Sequence, residues 1–268
     1  MNDGIEREPE ILTREGGATI AYRALPGKSP GVMFLGGFMS DMQGTKAVEL
    51  ERYCRAAGRA FVRFDCRGHG ESSGEFADGT VGSWTEDALA VLDTVTEGPQ
   101  ILVGSSMGGW IMLLAALARP DRVAGLLGIA AAPDFTEDLI WNRHDEEVRE
   151  TLRRDGVWYE PSEYGDEPYT ITMKLIEDGR RHLLLDRPIA VHCPVRLMHG
   201  MRDESVPWMT SSRIAEELLS DDVRVFLVKN GDHRLSRDED IARLKLTLDD
   251  LIEEIEAPIG EIEDATDG

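Results

Sequence analysis

Ser106 lies at the centre of a pentapeptide whose residue types suit nucleophilic catalysis. Gly104, Ser105, Met107 and Gly108 surround it, which gives the pattern Gly-x-Ser-x-Gly. In such a pattern the serine hydroxyl can attack a carbonyl carbon and carry the acyl group as a covalent intermediate. The glycines are needed because a side chain at either position would collide with the tight turn that exposes the serine.

The pattern stands between a predicted strand and a predicted helix. Residues 101–103 form an apolar run typical of a buried strand, and residues 110–118 have the composition of a helix. The bare pattern is common by chance, but the strand, glycine turn and helix together are the context that a nucleophile requires. We therefore interpret Ser106 as the nucleophile, the alternative being a serine that only caps the helix.

A serine nucleophile needs a base, and the base needs a carboxylate that orients it. Asp203 follows the predicted strand 194–198, and His233 follows the predicted strand 223–228. Active-site residues of open α/β sheets collect at the carboxyl edge of the parallel strands. We therefore predict that Ser106, Asp203 and His233 form a catalytic triad.

Other side chains could fill these roles. Glu204 and Asp232 are alternative acids, although Asp203 has the better position after its strand. His69 is interpreted as a turn residue near the rim of the pocket, and His199 as a structural residue at the end of a strand. The remaining histidines lack a partner at a catalytic spacing: His144, His182 and His192. No spacing typical of metal ligands is present, so neither a metal nor another cofactor is expected.

The oxyanion of a tetrahedral intermediate needs hydrogen-bond donors. The backbone N–H that follows the nucleophile belongs to Met107. A second N–H is expected in the loop after the predicted strand 32–35, where Phe38 follows two glycines. We predict that the N–H groups of Met107 and Phe38 form the oxyanion hole.

Short apolar runs alternate with helical patterns through most of the chain. Residues 10–13 and 19–24 predict an opening antiparallel pair, and residues 32–35, 61–64 and 123–130 predict further strands. Helices are predicted at 45–57, from a capping box at 83–86 to residue 96, at 209–219, and from a capping box at 236–239 to residue 255. The alternation predicts an α/β fold with a mostly parallel, doubly wound sheet and helices on both faces.

Residues 134–187, here called the cap segment, interrupt this alternation. They contain no convincing buried strand and are rich in charged and aromatic residues, which predicts an inserted helical cap. Trp141 and Trp158 of this segment, and Trp110 of the helix after Ser106, are candidates for substrate contact, although simple packing is the commoner role. The core is expected at 9–133 and 188–256, and residues 257–268 predict a disordered acidic tail.

The composition excludes some classes of partner. Lys and Arg total 29 against 51 Asp and Glu, a formal charge of −22 that disfavours nucleic acid and anionic membranes. No window approaches an apolar membrane span, and the N-terminus does not read as a signal or transit peptide. The three cysteines are widely spaced, which favours reduced thiols in a cytoplasm. The oligomeric state is not readable, and a monomer is the default expectation.

Taken together, these residues resemble the α/β-hydrolase superfamily from about residue 11 to residue 255. A closer resemblance is to the abhydrolase-domain family of mitochondrial palmitoyl-protein thioesterases, also described as acyl-glucuronide esterases. It is carried by residues 44–47, 64–65, 80–84, 97–106, 193–197, 199–201, 206–208 and 232–234. The resemblance implies an eight-stranded α/β-hydrolase sheet and hydrolysis of acyl esters or thioesters by Ser106, Asp203 and His233.

The resemblance leaves the substrate open between a small molecule and an S-acylated protein. A bacterial relative in the cytoplasm is the simpler interpretation, because the chain shows no transit peptide. A small-ester carboxylesterase or a carbon–carbon bond hydrolase of the same fold is an alternative. A non-catalytic ligand-binding module is a further alternative, since fold alone does not fix function.

Overall fold

A computed structural model describes residues 8–160 and 168–257, which form ten strands and seven α-helices. The strands are β1 (Glu10–Thr13), β2 (Thr19–Leu25), β3 (Lys28–Leu35), β4 (Arg59–Phe64), β5 (Gln100–Ser105), β6 (Val123–Ile129), β7 (Val157–Glu160), β8 (Tyr169–Thr172), β9 (Val195–Gly200) and β10 (Val223–Val228). The helices are α1 (Thr45–Ala56), α2 (Val81–Thr94), α3 (Met107–Ala118), α4 (Glu146–Asp155), α5 (Met173–Gly179), α6 (Met209–Glu217) and α7 (Asp238–Glu256).

Eight of these strands form a single sheet in the order β1-β2-β4-β3-β5-β6-β9-β10. Strand β2 pairs antiparallel with β1 and β4, and the other pairs are parallel. The predicted eight-stranded, mostly parallel sheet is therefore confirmed. The loops after β5, β9 and β10 consequently leave the sheet at the same edge.

The sheet is covered on both faces, and strand β5 shows why its sequence is apolar throughout. Leu102 belongs to a core cluster that includes Trp84 of α2 and residues of α3. Ile101 and Val103 belong to a second cluster, which includes residues of α1 and α7. Successive side chains of a strand point to opposite faces, so a strand buried on both sides needs an unbroken apolar run.

Two helices begin at residues other than the predicted ones. The N-cap of α2 is Thr80, whose side chain accepts from the Ser83 N–H at 3.2 Å, while the Ser83 hydroxyl accepts from the Thr80 N–H at 2.8 Å. Ser83 is therefore the third helical residue and not the cap, because its hydroxyl fills the role usually taken by Glu or Gln. The N-cap of α7 is Arg237 rather than Ser236.

The cap segment contains helices and, in addition, a pair of strands that the sequence analysis does not predict. In the described part of this segment, the helices are a π-helical stretch (Thr136–Trp141), α4 and α5. Strands β7 and β8 pair antiparallel, with Val157 opposite Thr172. Each strand has four residues and is only partly buried, so its alternation is too short to be recognised. The predicted tail at 257–268 lies outside the described residues, apart from Ala257.

The three cysteines are free thiols. Cys54 is buried in α1, and burial raises the pKa of its thiol to about 12, which keeps it protonated. Cys66 and Cys193 are also unpaired.

Within residues 8–160 and 168–257, no helix combines the length and the apolar character that a bilayer crossing requires.

Candidate active site

Ser106 occupies a strained turn between β5 and α3. Its backbone angles are φ 53° and ψ −118°, a region that residues with a side chain seldom adopt. Three hydrogen bonds hold it there: the Ser106 N–H donates to the Ile129 carbonyl at 2.9 Å, and the Ser106 carbonyl accepts from the N–H groups of Gly109 at 2.9 Å and Ala132 at 3.1 Å. The turn thus presents the serine side chain at the carboxyl edge of the sheet.

The glycines around Ser106 are required by close backbone approach. A Cβ added to Gly104 would lie 2.4 Å from the Gly108 oxygen, and one added to Gly108 would lie 2.2 Å from the Leu35 oxygen. Both obstacles are main-chain atoms, which cannot swing aside as the end of a flexible side chain can. The predicted steric reason for the two glycines is therefore visible in the structure.

We expect Gly104→Ala and Gly108→Ala each to lower the free energy of unfolding by about 3 kcal/mol or more, because the new methyl group must displace backbone. Gly44→Ala is the matched control, since its nearest obstacle is 3.5 Å away, at ordinary contact distance. Its expected loss is below about 1 kcal/mol. Urea unfolding measures all three, and equal losses for Gly108→Ala and Gly44→Ala would contradict the steric explanation.

Asp203 and His233 are joined by a short hydrogen bond. Asp203 lies in the loop after β9, His233 in the loop after β10, and His233 Nδ1 is 2.7 Å from Asp203 Oδ2. The other carboxylate oxygen, Oδ1, accepts from the N–H groups of Ser205 at 3.0 Å and Val206 at 2.8 Å. The carboxylate has no solvent exposure. Its orientation is therefore fixed by protein groups alone.

The same contacts keep Asp203 charged. Burial by itself would raise the pKa of Asp203, but hydrogen bonds from His199 and His233, the charge of His233 and the Val206 N–H outweigh burial. The pKa of Asp203 consequently lies well below its usual range. An ionised Asp203 can hold the Nδ1 proton of His233 and leave Nε2 to act as a base.

Ser106 and His233 line the same cavity, which has a volume of about 890 Å³. Its apolar wall comes from both the core and the cap segment and includes Phe34, Phe38, Met39, Phe135, Leu139, Ile140, Tyr169, Ile171 and Val206. Its charged or titratable lining residues are Asp41, Lys46, Arg143, His144, Glu160, Glu204, His233 and Arg234. The cavity thus offers a ligand both apolar and polar surface.

The predicted oxyanion donors are also at this cavity. Phe38 and Met107 line it, Phe38 in the loop after β3 and Met107 at the first position of α3. In the part of the chain that the structure describes, neither backbone N–H donates a hydrogen bond to another protein group. Two N–H groups without acceptors beside a candidate nucleophile are what an oxyanion requires.

Trp110 does not have the predicted position on the wall of the cavity. Its side chain is completely buried, its indole N–H donates to the His182 carbonyl at 3.1 Å, and its ring packs against Phe135. Phe135 is the residue of this pair that reaches the cavity. The prediction of substrate contact for Trp110 is corrected, because α3 turns this side chain into the core.

The two tryptophans of the cap segment also lie away from the cavity wall. Trp141 is covered by arginine side chains, with the guanidinium of Arg180 at 4.5 Å from its ring centre and that of Arg153 at 4.9 Å. Trp158 packs against the ring of His144 at 4.5 Å, and His144 is the one that lines the cavity. Among the described residues that form the wall, no tryptophan is present. Both predictions are corrected.

Of the rival side chains, Asp232 and His69 have other partners, whereas Glu204 lies at the cavity. The Asp232 carboxylate accepts from the Leu235 N–H at 2.9 Å, and Glu204 lines the cavity. His69 is buried between Phe76 and Trp84, and burial lowers the pKa of its imidazole. Asp203 is therefore the carboxylate that the structure brings to Nδ1 of His233.

Sequence reasoning missed most of the residues that form the wall. Phe135, Leu139 and Ile140 lie at the start of the cap segment, and Lys46 comes from α1. No motif marks these positions, since their role follows from how the cap segment packs over the sheet. The contact of His199 with Asp203 is also absent from the sequence predictions.

In the described ranges, no group of three or more His, Cys, Asp and Glu side chains could hold a metal ion.

Comparison with known proteins places this chain in a family. Residues 32–244 match the model of the Alpha/beta hydrolase family. The match includes the strands that position Ser106, Asp203 and His233. The chain belongs to the alpha/beta hydrolase family.

Two groups of relatives resemble the chain over most of its length. The human protein "Palmitoyl-protein thioesterase ABHD10, mitochondrial" is 45% identical over 246 residues, which cover 91% of this chain and 80% of that protein. The solved structure of mouse alpha/beta hydrolase domain-containing protein 10 has a TM-score of 0.87 at 45% identity and covers 93% of this chain and 100% of its own. A putative hydrolase from Agrobacterium vitis S4 has a TM-score of 0.88 at 41% identity, covering 92% and 99%.

Proposed function

We propose that the protein hydrolyses acyl thioesters and oxygen esters through a covalent acyl-enzyme on Ser106. Family membership and relatives named as palmitoyl-protein thioesterases support an ester or thioester hydrolase. The observation that carries the mechanism is the 2.7 Å contact of His233 with buried Asp203, at a cavity that His233 shares with Ser106.

The reaction proceeds in two halves. Ser106 Oγ attacks the carbonyl carbon while His233 Nε2 accepts its proton, and Asp203 retains the Nδ1 proton and stabilises the imidazolium. The N–H groups of Phe38 and Met107 donate to the oxyanion. The leaving thiol or alcohol departs with the proton from Nε2. Water then loses a proton to His233, attacks the acyl carbon and releases the carboxylic acid, and Ser106 recovers its proton.

The apolar lining of the cavity favours a long acyl group. Apolar side chains of the core and of the cap segment supply its wall, and burying each methylene contributes about 0.8 kcal/mol. A thiolate leaves readily, so a thioester relaxes the demand for protonation of the leaving group. We therefore propose an acyl thioester substrate, carried by a small molecule or by a protein, and residues 134–187 as the cap that selects it.

An acyl panel tests this function. Palmitoyl, octanoyl and acetyl groups, each as a thioester and as an oxygen ester, are assayed with the purified protein and with Ser106→Ala as the control. We expect the longer thioesters to have the highest kcat/KM. If only short oxygen esters are cleaved, the small-ester carboxylesterase is the correct alternative. If no ester is cleaved, the hypotheses to test are a carbon–carbon bond hydrolase and a non-catalytic ligand-binding module.

Because Lys46 lines the cavity and titrates near neutral pH, we expect the preference between leaving groups to depend on pH. Burial lowers the pKa of the Lys46 ammonium group to about 8, against the opposing charge of Asp232, and Nζ donates to the Arg234 carbonyl at 2.6 Å. Lys46 is thus charged below about pH 8 and neutral above it. We expect the preference for a carboxylate-bearing leaving group over a neutral one to fall about threefold between pH 7 and pH 9.

The measurement is the ratio of kcat/KM for two esters with the same acyl group and different leaving groups. Taking a ratio removes the titration of the catalytic base, which both substrates share. In Lys46→Met the ratio is expected to be independent of pH over this interval. A ratio in the unaltered protein that stays constant from pH 7 to pH 9 would show that Lys46 does not face the leaving group.

We also propose a monomer in a bacterial cytoplasm. The free thiols of Cys54, Cys66 and Cys193 support a reducing compartment, and the similar hydrolase from Agrobacterium vitis S4 supports a bacterial source. The mammalian relatives are named as mitochondrial. Cell fractionation with activity-based labelling tests the location, and light scattering tests the oligomeric state.

A further inference from the structure

His199 is a buried histidine whose two ring nitrogens both have partners. It lies near the end of β9, with no solvent exposure. Nε2 is 3.1 Å from Asp203 Oδ2 and 3.1 Å from the Val206 carbonyl oxygen. Nδ1 is 2.8 Å from the hydroxyl of Ser211, itself fully buried in α6. Ser211, His199, Asp203 and His233 therefore form one continuous chain of hydrogen bonds.

The chemistry of these partners fixes the proton on Nε2. A carboxylate oxygen and a carbonyl oxygen can only accept, so Nε2 must carry hydrogen and donate. The Ser211 hydroxyl can donate to Nδ1 or accept from it, so it satisfies either protonation state of the ring. His199 is consequently an N–H donor aimed at Asp203.

This donor completes the coordination of the Asp203 carboxylate. Oδ1 accepts from two backbone N–H groups, and Oδ2 accepts from His233 and His199. A carboxylate has about four acceptor positions, so Asp203 has none left over. Any rotation of the carboxylate would break at least one buried hydrogen bond and leave a buried polar group unsatisfied.

We propose that His199, held by Ser211, is a positioning residue that keeps Asp203 charged and aligned on His233 Nδ1. The proposal rests on the function proposed above, because alignment matters only if His233 is the catalytic base. Among the described residues that line the cavity, His199 is absent. It acts through Asp203.

A purely structural histidine would leave the pH dependence of catalysis unchanged, and this difference makes the proposal testable. Without His199, the charge on Oδ2 is balanced by His233 alone, which favours protonated His233. The acid limb of the kcat/KM profile would then move to higher pH. Among the described residues, the charged groups near this chain include Glu204 after β9 and Asp232 and Arg234 beside His233 in the sequence. They also include Lys46 of α1, which interacts with Asp232, Arg234 and Asp240 of α7.

The experiment compares His199→Leu, which removes the donor, with His199→Gln, whose amide can still donate to Asp203 and accept from Ser211. We expect the leucine variant to lose about 30-fold or more in kcat with KM within about twofold, and its acid limb to rise by about half a pH unit or more. The glutamine variant is expected to stay within about fivefold of the unaltered protein, with its acid limb in place. Equal losses in both variants, or an unmoved acid limb in the leucine variant, would overturn the proposal.

A second measurement does not depend on turnover. In the full-length protein labelled with ¹⁵N, the proton shared by His233 Nδ1 and Asp203 is expected to give a downfield resonance. Ser211→Ala, which keeps His199 but removes its support, and His199→Leu should both shift it, and His199→Gln should not. An unshifted resonance in Ser211→Ala overturns the proposal even if the leucine variant does not fold. Absence of acyl hydrolysis by the unaltered protein would refute the proposed function instead, and the resonance would still report on His199.

Discussion

Ser106→Ala will lose turnover of acyl esters and thioesters, with kcat falling by about 10⁴-fold to 10⁶-fold. The hydroxyl is the attacking group, and alanine offers no atom that can form the acyl-enzyme. Covalent labelling by a fluorophosphonate will disappear with it. Alanine keeps the Cβ and the backbone hydrogen bonds to Ile129 and Ala132, so the fold is expected to persist. Labelling of the variant at the rate of the unaltered protein would refute the assignment.

A glycine at the same position separates chemistry from strain. Ser106 has φ 53° and ψ −118°, which a residue with a Cβ adopts only at a cost of about 1–3 kcal/mol. Ser106→Gly is expected to be as inactive as Ser106→Ala. Its free energy of unfolding is expected to be about 1–2 kcal/mol higher, so it is the more stable of the two variants. Ser212, in the regular helix α6, is the matched control.

At Ser212 the glycine variant is expected to be about 1 kcal/mol less stable than the alanine variant, because glycine is the poorer helix former. The difference in free energy of unfolding between the glycine and the alanine variant is therefore expected to have opposite signs at the two positions. Urea unfolding of the four variants measures both differences. If glycine is less stable than alanine at both sites, strain at Ser106 does not contribute to the stability of the protein.

The elements that place the site could be predicted because each has a strong local signal. The run 101–103 is apolar at every position since both faces of β5 are buried, and the order of Ser106, Asp203 and His233 along the chain follows the strands of a parallel sheet. The glycines at 104 and 108 could be interpreted because their obstacles are backbone atoms of the same turn and the adjacent strand.

The wall of the cavity and the support behind Asp203 could not be predicted in this way. Trp110 appeared to be a pocket residue from its place after the nucleophile, but the rotation of α3 about its axis decides which side chains face the core. The hydrogen bond of His199 to Asp203 joins the end of β9 to the loop that follows, and the other partner of His199, Ser211, lies on helix α6. Such contacts depend on three-dimensional packing and leave no periodic trace in the sequence.

Asp203→Asn will lower kcat by about 10⁴-fold while leaving the fold intact. The asparagine carbonyl will face Ser205 and Val206, because turning it away would leave two backbone N–H groups without an acceptor. Its NH₂ group must then face His233 Nδ1. An NH₂ group can only donate, so Nδ1 must become an acceptor and the ring proton moves to Nε2.

A histidine with its proton on Nε2 cannot accept the proton of Ser106, which is why the loss is large although only one atom changes. His199 is expected to keep its Nε2 proton, because the Val206 carbonyl at 3.1 Å still accepts it. Asp232→Asn is the control, since that carboxylate accepts from Leu235 N–H and lies next to His233 in the sequence. We expect the control to keep kcat within about threefold, because a carboxamide oxygen can accept the same bond. The ¹⁵N shifts of the His233 ring identify its tautomer. Normal activity, or a ring still protonated on Nδ1 in Asp203→Asn, would show that another group orients His233.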